Sequence, residues 1–176
     1  MKKEINRITL EILQGDIIDQ QDMDTIVNAA NARLLPGGGV AGAIHQAAGP
    51  ELAKESEPLG PIEPGEAVIT RAHKLPNKHV IHCLGPVYGR DKPEDKLLAN
   101  CYRNALKLAE DNGIESIAFP SISTGAFGFP VEEAAEIAIR TITENLPELK
   151  SVKKIRMVLY SRSDKIIYEN TLQEFF

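Results

Sequence analysis

The chain has 176 residues, 43% hydrophobic and 26% charged, enough apolar surface to offset ordering entropy and so not the composition of a disordered protein. Its 20 Lys and Arg are scattered among 25 Asp and Glu, for a net charge of −5, which argues against stable binding to a nucleic-acid backbone. No apolar run approaches the ~20 residues that cross a bilayer, and the polar start Met1–Arg7 leads into no signal-peptide core.

Along the chain, apolar runs and helical stretches alternate. Ile8–Leu13 alternates inward and outward residues and ends at Gly15-Asp16, a strand followed by a turn. Thr25-Ile26-Val27 is a short buried strand closing on Asn28-Ala29-Ala30-Asn31. Gly39–Ala48 reads as a helix opened by three glycines and stopped by Gly49-Pro50. Glu57–Pro64, rich in Pro and Gly, is expected to be a surface loop. Ala67–Thr70 and Val80–Leu84 are strands. Asp95–Asp111 is a helix with Leu97, Leu98, Cys101, Ala105 and Leu108 on one stripe, capped by Asn112-Gly113. Ser116–Phe119 is a buried strand, followed by the turn-rich Pro120–Pro130. Val131–Asn145 is an amphipathic helix with Pro130 at its start. Ile155–Tyr160 is the last strand, and Asp164–Phe176 a closing helix with Ile167, Leu172 and Phe175 or Phe176 inward. This order predicts a three-layer α/β/α sandwich with a mixed sheet whose interior strands are parallel. At roughly 150 residues per domain, residues 1–176 are expected to be one domain.

In open α/β sheets, ligands lie beyond the carboxyl ends of the strands. That rule selects Gly15-Asp16-Ile17, Asn28–Gly42, Ser121–Phe129 and Tyr160-Ser161. Two of these segments are glycine-rich. Pro36–Gly42 runs into a helix start, where unpaired N–H groups and missing Cβ atoms suit a phosphate or diphosphate; a flexible turn is the alternative. Ser121–Gly128 offers a second backbone cradle, with Phe127 either closing over a sugar or base or packing under the loop. Asp16 either accepts from an exocyclic amine or caps its turn. Asn28 and Asn31 can bind sugar hydroxyls, with turn chemistry expected for one of them.

Other chemistries fit less well. Residues 37–42 match G-x-G-x-x-G, but Asn28–Pro36 separates them from the strand, and Glu63, at the spacing of the ribose-binding acid, lies among prolines. No Gly-Lys-Ser/Thr follows, which excludes a Walker A loop. The four histidines carry no metal signature: His79 and His82 point to opposite faces of one strand. His45, facing Ala41 one turn earlier, is either a core residue or a site-edge group. Cys101 reads as core, no Ser or Cys sits in a nucleophile elbow, and Glu132-Glu133 is solvated surface. Cys83 and Cys101 are too few for a disulfide framework or a four-cysteine zinc site, and the chain is expected to be cytoplasmic with reduced thiols.

Taken together, Gly15-Asp16-Ile17, Val27–Asn31, Gly37–His45, Ala47–Pro50, Val80-Ile81-His82 with Gly85-Pro86, and Phe119–Gly128 resemble the macrodomain family of ADP-ribose-binding modules, across nearly the whole chain. The resemblance implies the three-layer fold with a cleft at the strand ends and no cofactor or metal. It implies an ADP-ribose site of Gly15, Asp16, Ile17, Ala30, Asn31, Gly37, Gly38, Gly39, Val40, Ala41, Ser123, Thr124, Gly125, Ala126, Phe127 and Tyr160. Asp16 would accept from the adenine amine beside Ile17, Asn31 would orient the distal ribose, and Gly38–Val40 and Ser123–Phe127 would hold the diphosphate. Phe127 would lie against the distal ribose, and Tyr160 would stack on adenine. The sequence departs from the MacroD-type hydrolases, in which Val-Asp-Gly follows the glycine run: here it is Val40-Ala41-Gly42, with no carboxylate one turn from His45. Two functions follow. One is a hydrolase of ADP-ribosyl esters, on ADP-ribosylated protein or O-acetyl-ADP-ribose, in which Asn31, Gly39, Phe127 and His45 serve catalysis. The other is a reader that binds ADP-ribose unchanged.

Overall fold

The computed structural model of the chain describes residues 1–176. Seven strands form one sheet: β1 (Lys2–Ile5), β2 (Ile8–Gln14), β3 (Thr25–Ala29), β4 (Ala67–Arg71), β5 (His79–Cys83), β6 (Ser116–Phe119) and β7 (Lys154–Leu159). Their spatial order is β1-β2-β7-β6-β3-β5-β4. The interior pairs β2/β7, β7/β6, β6/β3 and β3/β5 are parallel, and only the edge pairs β1/β2 and β4/β5 are antiparallel. The mixed sheet with parallel interior strands is therefore as the sequence predicts.

Helices cover both faces. α1 (Gly39–Ala48) and the short α2 (Glu51–Ser56) lie on one side, where Ile44, Ala48 and Leu52 pack with Ile26, Val80 and Val158. α3 (Glu94–Asp111), α4 (Val131–Asn145) and α5 (Arg162–Phe175) cover the other, around Ile12, Ile81, Phe119 and Met157. This second core holds 30 buried residues and is the larger, as three long helices require. No helix is long and apolar enough to cross a membrane.

Some expectations need correction. The polar start contains β1, joined to β2 by Asn6-Arg7, both at positive φ (52° and 66°), the geometry of a two-residue type I′ hairpin. Pro50 stops α1 but also opens α2. Glu57–Pro64 is not a free loop: it begins with a 3₁₀ turn, and Ile62 is buried beside Ala30, Leu34 and Leu84. On α3 the buried stripe is Leu98, Cys101, Tyr102, Ala105, Leu106 and Ala109; Leu97 and Leu108 flank it. On α5, Tyr168, Thr171 and Leu172 point in, Ile167 and Phe175 pack at the edge, and Phe176 is exposed.

Candidate functional site

Because the interior strands are parallel, their carboxyl ends meet along one edge of the sheet, where two chambers open. The first, of about 330 Å³, is lined by Ala29, Ala30, Asn31, Gly37–Ala41, Gly85, Ser121–Ser123 and Gly125–Phe127. The second, of about 490 Å³, is lined by Gly15, Asp16, Ile17, Gly39, Val40, Ala43, Pro120, Ser121, Thr124, Gly125, Val158, Tyr160 and Asp164. Gly39, Val40, Ser121 and Gly125 wall both, so the chambers are two halves of one cleft.

The cleft lining is polar through its backbone. No acceptor in the chain takes the N–H groups of Gly38, Gly39, Val40 and Ala41, or those of Ser123 through Phe127. The first row is the opening turn of α1, whose orphan donors carry the positive end of the helix dipole. That turn contains no acidic side chain to neutralise it. Gly39 sits at φ 57°, a conformation glycine adopts without a steric penalty. Gly42 packs so closely on the Gly37 carbonyl that a Cβ there would come within 3.0 Å of its oxygen. The second row belongs to a loop braced from behind: Ser121 Oγ meets Tyr168 Oη at 2.7 Å and accepts from Thr124 Oγ1 at 2.9 Å, and Phe129 N–H donates to Ser123 C=O. Ser123 is itself held at φ 68°, uncommon for a residue with a Cβ, and its buried hydroxyl has no partner. Two rows of unpaired backbone donors lining one cleft can hold an anion without a basic side chain.

At the far end of the second chamber, Asp16 Oδ1 accepts from Ile18 N–H at 3.2 Å, the turn-capping role, and its other oxygen makes no hydrogen bond. Ile17 beside it is buried, and Tyr160, which also lines this chamber, is 84% exposed and offers an aromatic ring face. In the first chamber, Asn31 is tied at both ends of its amide to Leu35, giving to its carbonyl at 2.7 Å and accepting from its N–H at 3.1 Å. Asn31 is thus the residue with turn chemistry. Asn28 instead donates to His82 Nδ1 at 3.1 Å, inside the core. Phe127 combines both roles considered for it: it packs on Ala30, Leu34, Ile62 and Leu84 and lines the chamber.

Every residue of the expected ligand set lines one chamber or the other. His45, expected among the catalytic groups, lines neither. It is buried under α1, 6.4 Å from the His82 ring, with both ring nitrogens unpaired, and burial lowers its pKa. Thr70 Oγ1 lies 2.9 Å from His82 Nε2 and itself donates to Arg71 C=O, so it accepts from the ring, which leaves Nδ1 to accept from Asn28. His82 is therefore neutral, and burial, then nearby His45, push its pKa down to about 3. Lining residues absent from the expected set include Ala29, Ala43, Gly85, Ile122, Val158 and Asp164. Of these, Asp164 had a local signal: it follows Ser161, whose Oγ accepts its N–H at 3.2 Å and caps α5 just beyond the end of β7.

The Macro domain family model matches residues 27–138, which carry the first chamber and one wall of the second. The chain belongs to the macrodomain family. Among macrodomain relatives, the chain is 48% identical over 170 residues to a macro domain-containing protein of Caldanaerobacter subterraneus, covering 94% of this chain and 96% of that one. It is 46% identical to an O-acetyl-ADP-ribose deacetylase of Klebsiella pneumoniae, covering 94% and 97%. Among solved structures, a mutant of the Oceanobacillus iheyensis macrodomain with ADPR superposes at a TM-score of 0.95, with 44% identity, covering 99% of this chain and 97% of that one. The same macrodomain with ADP gives 0.95 at 46% identity, covering 99% and 95%.

Proposed function

We propose that residues 1–176 act as one ADP-ribose-binding unit that hydrolyses ester-linked ADP-ribose, as the name O-acetyl-ADP-ribose deacetylase carried by a 46% identical relative also suggests. The observation that carries the reading is the pair of unpaired N–H rows, Gly38–Ala41 and Ser123–Phe127, which line the cleft and meet the divide between its chambers at Gly39, Val40 and Gly125. A diphosphate fits between them. One nucleoside end then occupies the larger chamber, with adenine between Ile17 and Tyr160 and its amine toward the open oxygen of Asp16. The distal ribose occupies the smaller chamber, between Asn31, Gly39 and Phe127.

Water attacks the anomeric carbon of the distal ribose, the bond from that carbon to the acyl oxygen breaks, the carboxylate departs, and a proton passes to solvent. A carboxylate is a good leaving group, so the protein's task is to place water and shield charge. Fixed donors and a closed wall at Phe127 can do both. With Ala41 in the first turn, no carboxylate of the chain activates the water from that position; the phosphate nearest the distal ribose takes that place. His45 contributes through the packing of α1 and not by contact. Buried, unpaired Cys83 and Cys101 fit the reducing cytoplasm. Partners are ADP-ribose itself, O-acetyl-ADP-ribose or an ADP-ribosylated protein.

A second reading, a reader that releases its ligand unchanged, is favoured by one observation: neither a carboxylate at position 41 nor an accessible His45 completes a proton-transfer pair. Incubation with O-acetyl-ADP-ribose and with a glutamate-linked ADP-ribosyl peptide separates the two. The hydrolase releases free ADP-ribose, and Asn31→Ala slows it by on the order of 10²-fold through misplacement of the ribose. Tight binding with the linkage intact leaves only the reader.

A further inference from the structure

We propose that Gln20, itself held by Arg156, is a positioning residue for the nucleobase end of the cleft, selecting for the adenosine half of the ligand from behind the binding surface. The inference rests on the reading of the cleft as an ADP-ribose site. Gln20 lines neither chamber: it belongs to the loop between β2 and β3 and is 4% exposed. Its amide nevertheless spans two fixed points. Nε2 donates to the carbonyl of Asp16 at 2.8 Å, and Oε1 accepts from Arg156 Nη1 at 2.8 Å.

Arg156 is the root of this arrangement. It is a buried residue of β7, the strand bonded to β2 on one side and to β6 on the other. Its guanidinium also donates to Glu11 on β2, and to both oxygens of Asp22 at 2.8 and 2.7 Å. All five donors of a guanidinium lie in one plane, so a side chain committed to Glu11, Gln20 and Asp22 together has one orientation. A second anchor comes from the segment between β4 and β5: Asn77 Nδ2 donates to the carbonyls of Gln20 and Met23, both at 2.8 Å. Residues 16–23 are thereby pinned at Asp16, Gln20, Asp22 and Met23.

The functional consequence follows from Asp16. Its side chain uses one oxygen to cap its own turn, and the direction of the other is set by where its backbone is held. That carbonyl accepts from Asp19 N–H at 3.0 Å within the turn and from Gln20 Nε2 at 2.8 Å, and only the Gln20 bond ties the turn to the Arg156 network behind it. A buried polar network of this kind acts as the supporting shell of a binding group, and loosening it displaces the group by a distance that costs recognition. The phosphate-binding rows belong to α1 and to the loop after β6, which Gln20 does not touch, so the effect is confined to the nucleoside end.

Two substitutions test this. Gln20→Met keeps the length of the side chain and removes both bonds. Gln20→Glu keeps an acceptor for Arg156 and removes the donor to Asp16. Each is titrated calorimetrically with ADP-ribose and with ribose 5-phosphate, and its thermal unfolding is recorded without ligand. The expected result is a loss of ADP-ribose affinity of about 3- to 10-fold, the scale of one hydrogen bond, with ribose 5-phosphate binding unchanged in the same folded protein. Equal losses for both ligands assign Gln20 a purely structural role and overturn the proposal, as does wild-type affinity for ADP-ribose in either folded variant. If Gln20→Met does not fold, Gln20→Glu decides alone. Failure of the unsubstituted protein to bind ADP-ribose is a different result: it overturns the reading of the cleft and this inference with it.

Discussion

Gly42→Ala is the substitution that most sharply separates stability from binding. A Cβ at this position would stand within 3.0 Å of the Gly37 carbonyl oxygen, whereas ordinary contacts begin at 3.4 Å. The oxygen must retreat by on the order of 1 Å to reach a normal separation. It belongs to the same planar peptide as the N–H of Gly38, so the donor turns with it. A charged ligand loses the hydrogen bond it would have accepted there, worth about 1.5–3 kcal/mol, and each 1.4 kcal/mol is about tenfold in Kd. The expected weakening of ADP-ribose is therefore about 10- to 100-fold. The helix itself gains, since alanine is favoured over glycine by about 1 kcal/mol inside a helix, which offsets part of the loop strain. Calorimetry should thus report a large loss of affinity in a protein whose Tm moves by only a few degrees (about 2–4 °C per kcal/mol at this length). Wild-type affinity in the folded variant would mean that the Gly38 donor is not part of the anion site.

Three further outcomes follow from the same geometry. Asp16→Asn preserves an oxygen for Ile18 N–H but turns the free oxygen into a donor; it should weaken ADP-ribose by about 1–3 kcal/mol and leave ribose 5-phosphate unaffected, while Asp16→Ala should also lower Tm by untying the turn. Ala41→Asp places a carboxylate in the first turn of α1, which has no acidic side chain; it should raise KM by competing with the diphosphate and raise kcat for ester hydrolysis, and a higher KM with no gain in kcat would show that position 41 is not a catalytic vacancy. His82, with a pKa near 3 in the folded protein against about 6.5 unfolded, contributes stability that is complete above about pH 6.5 and lost as the pH falls toward 3, by at most about 1.4 kcal/mol per pH unit. Burial would raise the pKa of Glu11, but the Arg156 hydrogen bond and charge more than offset it, and Asp22 is held far below the carboxylate range by the same guanidinium, so both add acid lability at lower pH. Urea unfolding of the wild type and of His82→Gln between pH 7 and 4.5 checks the sign: the slope should be shallower in the variant, and equal slopes would contradict the assignment.

What the sequence made legible was set by pattern length. β2, α3, α4 and β7 are long enough for their periodicity to show, and each lies within two residues of its expected bounds. β1 has four residues alternating exposed and half-buried, with two lysines, as suits an edge strand that must not recruit partners. That pattern carries too little hydrophobic signal to announce a strand. α2 has six residues, below the length at which helical periodicity separates from a turn. The cleft was legible because its walls are backbone, and glycine runs advertise exposed backbone directly. His45 was not. Its position one turn after Ala41 is compatible with both faces of α1, and only the packing on His82 shows that it turns inward. Gln20 and Arg156 were equally silent, since a glutamine 136 positions from its arginine leaves no local trace.

In the proposed binding mode, backbone donors at the strand ends hold a diphosphate with adenosine on one side and the distal ribose on the other. A calorimetric comparison of ADP-ribose, ADP, AMP and NAD tests it most directly. One site is expected, with ADP-ribose tightest, ADP weaker and AMP weakest, each step tracking the phosphate and the distal ribose. AMP binding as tightly as ADP-ribose, NAD preferred over it, or no heat with any of the four would contradict it.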